Sequence, residues 1–276
     1  MEFINALAKE RIGNIKPCEI DTWTAYADSV YYGLSRKCID DSCTCDYAMD
    51  IQPILDGALR DVSRLSKVGE IFDRIKSELH QQIHTLFKST PDVLIVLYLG
   101  LCNGAGWATR IEDQRVILLG AEKILELNWD SEERMKALIY HEVGHVWHDC
   151  EGFLWHSFST PDKMAIRQLY REGMAMVFEQ MLCQNMDYYH QGGAWSEWCK
   201  EHLYEIKTEY MKRITHGESV REFYGDWNEY KGYSDVGYYL GAQFIKHLMK
   251  KFTFREIASL SYEEIYKRFK SYVFSG

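Results

Sequence analysis

The sequence predicts an α+β protein: a helical beginning, a small β-layer, then helices to the end. Three observations carry that expectation. Apolar residues recur at helical spacing from about residue 19 to 88, and again from about 162 onward. Between these regions stand two short apolar runs rich in β-branched residues, VLIVLYLG (93–100) and VILLG (116–120). Directly after them comes a further helical pattern dense in histidine and glutamate, ALIYHEVGHVWHDCEG (137–152).

In chain order, the first region is clearest in IFDRIKSELHQQIHTLFK. There Ile71, Phe72, Ile75, Leu79, Ile83 and Leu86 recur at intervals of three and four, the spacing of one buried helix face. Pro91 and Asp92 break the pattern, and the two β-runs follow with the glycine-bearing NGAGWAT (103–109) read as a turn between them. The next helix is expected to begin near Asp130, with Glu133 three residues on completing a capping box. Met135, Leu138, Ile139, Val143 and Val146 form its core side, and Gly152 and Pro161 mark its end. Two more helices are legible in GYYLGAQFIKHLMKKF (237–252) and SYEEIYKRFKSYV (261–273). No repeat or low-complexity tract occurs. The expected division is a helical region over 1–91 and a second region over 92–276, which one continuous domain would also satisfy.

Composition bounds the function. The 276 residues are 46% hydrophobic and 26% charged, within the range of folded globular chains. A net charge of −9 argues against nucleic acid and anionic membrane as partners. The longest apolar stretch, VLIVLYLGLC (93–102), is half the length that spans a bilayer. The start, MEFINALAKERIG, has acidic residues and no apolar run of signal-peptide type, so a cytoplasmic protein with mostly reduced thiols is expected. Among eight cysteines, Cys38, Cys43 and Cys45 cluster in CIDDSCTC. Their spacing matches no common zinc module, and a structural or incidental role is the better reading, with a second metal left open.

The chemistry is concentrated in His141-Glu142-x-x-His145. On a helix, residues four apart share a face, so the two imidazoles aim at one point with Glu142 beside them. That is the H-E-x-x-H pattern of zinc peptidases: two histidines hold one Zn²⁺ and the glutamate serves as general base. Zinc chemistry needs a third protein ligand and an open fourth position. One candidate is Glu151, if the chain continued as in metzincins; but the position that demands a turning glycine is His148, so the helix should run on and carry Glu151 away. The other is a glutamate brought across by a later helix, in LYREGMAMVFEQM (169–181).

At this point the chain resembles the gluzincin metallopeptidases, specifically the catalytic domain of the aminopeptidase N family. Glu172, Gly173, Ala175 and Glu179 stand where that family has a ligand glutamate, a glycine, a small residue and, seven places on, another glutamate. ALIYHEVGHVWH is similar to the family's metal helix, down to Trp147. The resemblance covers about 92 to 250 and implies a zincin-like fold. It implies Glu172 as third ligand, and Glu179 as acceptor for the ring N–H of a zinc histidine. The family's Y-x-K-G stretch is matched by Tyr238-Tyr239-Leu240-Gly241, which implies Tyr238 as donor to the oxyanion, with Tyr239 and Tyr233 as substitutes. The gap from His145 to Glu172 is longer than in the family, implying an inserted loop around GFLWHSFSTPDK (152–163). GAGWAT replaces the family's G-x-M-E-N and lacks its glutamate, which leaves exo- and endopeptidase activity both open.

The expectation is thus a zinc-dependent peptidase acting on a peptide or protein. Backbone around Gly104 and Gly106 would pair with an extended substrate; His148, on the face of His141, would touch it or else serve only at the surface. The competing expectation is a zinc-bearing regulatory or peptide-binding module without turnover, which would need neither Glu142 nor Tyr238.

Overall fold

The computed structural model describes residues 1–152, 160–225 and 227–274. Most of the loop expected around 152–163 therefore lies outside the described residues. The chain divides into two compact units, Met1–Val146 and Trp147–Gly276, and the division falls inside one helix.

The first unit is built on a four-stranded mixed sheet. Strand β1 (Glu2–Asn5) is followed by helices α1 (Lys9–Ile12), α2 (Ile20–Val30), α3 (Leu34–Asp41), α4 (Gln52–Arg60) and α5 (Val62–Phe87). Strands β2 (Leu94–Tyr98), β3 (Gly106–Ile111) and β4 (Gln114–Gly120) come next, then helix α6 (Ala121–Glu126). The sheet order is β1-β2-β4-β3; β1, β2 and β4 run parallel, and β3 pairs antiparallel with β4 as an edge strand.

The two apolar runs are the central strands β2 and β4. β2 is buried along its whole length, as a strand covered on both faces must be. Two strands were not foreseen. β1 is only four residues long, and β3 begins at Gly106 inside the segment expected to be a turn. Helix α5 buries Leu65, Val68, Ile71, Phe72, Ile75, Leu79 and Ile83 at the expected spacing, but Leu86 is exposed and Phe87 turns inward instead.

The segment after β2 is held from two directions. Trp23 Nε1 donates to the Leu99 carbonyl at 2.9 Å, and Tyr26 Oη accepts from the Leu99 N–H at 3.0 Å. The carboxylate of Glu122, on α6, accepts from the N–H of Gly100 at 2.6 Å and of Cys102 at 3.2 Å. These bonds fix the approach of the chain to edge strand β3.

Helix α7 spans Glu132–Glu151. It starts later than expected. Ser131 Oγ accepts from the Arg134 N–H at 3.3 Å, whereas Asp130 is taken by the Arg64 guanidinium in two bonds of 2.7 and 3.0 Å. A forked ion pair outcompetes capping there. Residues 137–148 of α7 are buried on every side, so this helix is core rather than a half-exposed stripe.

The second unit is helical: α8 (Pro161–Leu182), α9 (Gly193–Glu201), α10 (Leu203–His216), α11 (Val236–Met249), α12 (Phe254–Ala258) and α13 (Tyr262–Phe274). Its central feature is the crossing of α8 and α11. A Cβ on Gly173 would stand 2.5 Å from the Gly241 carbonyl oxygen, and one on Gly241 would stand 2.9 Å from the Gly173 Cα. Backbone meets backbone, which only glycine permits. No helix among the described residues is long and apolar enough to cross a membrane.

Candidate metal centre

The fold after the sheet brings His141, His145 and Glu172 together. Each presents one ligand atom, and the three atoms lie within 4.8 Å of one another. The α-helical i, i+4 spacing sets the two imidazoles edge to face, with ring centroids 4.8 Å apart. All three residues are buried, at 8%, 5% and 8% exposure.

The donor set fits a divalent metal. Two imidazoles and a carboxylate are the ligands of catalytic zinc, whose donors sit roughly 3.3 Å apart around a tetrahedral ion. A buried carboxylate facing two histidines is costly unless a cation neutralises it. Three protein donors also leave one coordination position for a reactant. Glu151 is not part of the group. Helix α7 runs straight on through it, and its carboxylate pairs with Arg255. Among the described residues no second such group occurs. Cys38 is buried with its Sγ 3.2 Å from the Tyr98 hydroxyl, while Cys43 is exposed.

Glu142 lies on α7 against edge strand β3. Its Oε2 accepts from the Ala108 N–H at 2.7 Å. A Cβ on Gly106 would stand 2.8 Å from both Cγ and Oε1 of Glu142. The close approach at Gly106 is therefore made by this glutamate. Gly104, at φ +145°, occupies a backbone region that L side chains rarely adopt and places its carbonyl against Gly120.

His148 is 5% exposed and packs edge-on against Tyr170, with centroids 4.6 Å apart, so it is no surface residue. Glu179 is fully buried on α8, with Oε1 3.3 Å from His190 Nε2. His190 gave no sign in the sequence, since its partnership with Glu179 is made by the fold.

Tyr238 sits in the first turn of α11, half-buried, with its ring edge-on to Tyr224 at 5.6 Å. Tyr224 is a second residue the sequence did not disclose. Its hydroxyl lies 2.9 Å from that of Tyr210, which donates to the Ala165 carbonyl at 2.9 Å. Burial, then Tyr210, Glu172 and Tyr238, hold the Tyr224 phenol well above its ordinary range. Tyr224 thus stands electrostatically close to both Glu172 and Tyr238. The substitutes are engaged in packing. Tyr239 contacts Tyr189 and Trp195, and burial pushes its phenol up to about 12; Tyr233 stacks on Trp198 at 4.0 Å.

Compared with protein-family models, with curated proteins and with solved structures, the chain matches none.

Proposed function

We propose that this protein is a zinc-dependent metallopeptidase of gluzincin type, with His141, His145 and Glu172 as ligands. The observation that carries the proposal is the burial of these three donors in one group with Glu142 in the adjoining helix position. Bound there, zinc would polarise a scissile carbonyl and acidify a water molecule. Glu142 accepts that water's proton and passes it to the departing amine, a carboxylate acting as base and then as acid. The Tyr238 hydroxyl donates to the oxygen on which negative charge develops. Glu179, two turns along α8 from Glu172, accepts the ring N–H of a histidine that holds the zinc and so fixes that ligand's tautomer and aim. The substrate is a peptide or protein.

The test is metal analysis of the purified protein together with mass-spectrometric profiling of a peptide mixture, with and without chelator. The expected result is about one zinc per chain and chelator-sensitive cleavage. Glu142→Gln should keep the zinc while lowering turnover at least about a hundredfold, because it removes a proton acceptor but no ligand. Stoichiometric zinc with no cleavage of any peptide would overturn the peptidase reading.

A further inference from the structure

We infer that edge strand β3 is the positioning element of the base: the Ala108 amide and the bare Cα of Gly106 together set the aim of Glu142. The inference rests on the proposed role of Glu142 as proton acceptor.

The geometry follows from strand register. Gly120 N–H donates to the Ala105 carbonyl at 3.1 Å, and Gly106 to Ile111 pair in order with Leu119 to Gln114. In an antiparallel pair, bonded and non-bonded residues alternate. Odd-numbered residues of β3 therefore turn their N–H and C=O toward β4, and Gly106, Ala108 and Arg110 turn theirs away. An outward amide on a sheet edge is ordinarily left to water. At Ala108 it instead meets Glu142 Oε2 at 2.7 Å, within the range of a charge-assisted bond.

Gly106 supplies the space. Its φ is not in the left-handed region, so the backbone does not require glycine. The requirement comes from Glu142 Cγ and Oε1 and from Leu138 Cδ1, each 2.8 Å from where a Cβ would stand. Any side chain would displace the carboxylate. A glutamate has three rotatable bonds, and one oxygen held by the sheet removes most of that freedom. The other oxygen, Oε1, is left for the proton. Small errors in the placement of a catalytic group cost large factors in rate, so the strand acts on the chemistry through Glu142.

The test has two arms on the full chain. The first is amide hydrogen exchange by NMR, which needs no activity. The Ala108 amide should be protected in the unaltered protein and exchange at least about tenfold faster in Glu142→Ala, read at a concentration at which that variant sediments as a monomer, while Trp107 and Thr109, bonded to β4, stay unchanged. Equal Ala108 rates in the two proteins, or acceleration of all three amides together, would overturn the inference. The second arm is kinetic. Gly106→Ala should lower kcat by about 10–100-fold with KM and zinc content near the unaltered values. Should Gly106→Ala fold poorly, Ala108→Pro deletes the same donor at a position where an edge strand tolerates proline, and the same kcat loss is expected. Full kcat in a folded variant would overturn the inference. If the unaltered protein cleaves no peptide, the peptidase reading fails by itself, and the exchange arm alone decides whether the strand holds Glu142.

Discussion

Glu172 is the residue on which the metal set depends. Two imidazoles one turn apart hold an ion weakly, and the carboxylate completes the three donors. Glu172→Ala should lower the zinc content of the purified protein sharply, as read by elemental mass spectrometry, whereas Glu151→Ala should not, because Glu151 is committed to Arg255. Normal zinc in Glu172→Ala would remove it from the set. Tyr238→Phe should lower kcat by about 10²–10³-fold with KM and zinc little changed, since its hydroxyl is proposed to act on the developing charge alone. A melting shift without rate loss would make it a packing residue against Tyr224. Legibility at this scale follows the range of the contact. His141, Glu142 and His145 are readable because one helical turn joins them. Glu172 is readable only through a motif, because another helix brings it in. His190, Tyr224 and Ala108 left no trace, since each is significant only through a partner that the fold, and not a shared helical turn, brings to it.

At the scale of elements, the helices and the two central strands were legible, and the edges were not. β2 and β4 announce themselves as apolar runs because both faces are covered. GWATRI, with glycine and alanine in a half-buried strand, lacks that signature, and its glycine is there for Glu142 rather than for a turn. The pin between α6 and the end of β2 was likewise invisible. Its carboxylate, Glu122, is pushed up to about 7 by burial, against an ordinary value of 4.5. The sign is set by which state binds the proton. Between about 4.5 and 7 the folded chain keeps a proton that the unfolded chain has lost, so this group lowers stability as pH rises through that window. Below the window the effect vanishes; above it the full loss is on the order of 3 kcal/mol. Urea unfolding at pH 5 and pH 7.5 should show a smaller fall for Glu122→Gln than for the unaltered chain. Parallel falls in the two proteins would mean that Glu122 is not the group responsible.

For the molecule as a whole, sheet order was the hidden quantity. Nothing local says that residues 2–5 lie beside 94–97, or that the strand entering last in the antiparallel hairpin sits inside the one before it. The outcome leaves β3 on the rim, and that has a consequence for how copies of the chain behave in solution. An uncovered strand rim is a template on which a second chain can add its own strand, and proteins guard such rims with charge. Here the guard over Ala108 is the carboxylate of Glu142, with Arg110 exposed beside it. On that arrangement the side chain proposed to move protons would also keep neighbouring copies apart. Glu142→Ala is expected to self-associate more than the unaltered chain in sedimentation velocity at equal concentration, while Glu142→Gln, which retains an acceptor for the amide, should sediment as the unaltered chain does. If all three sediment alike, the rim is kept solitary by something other than its base.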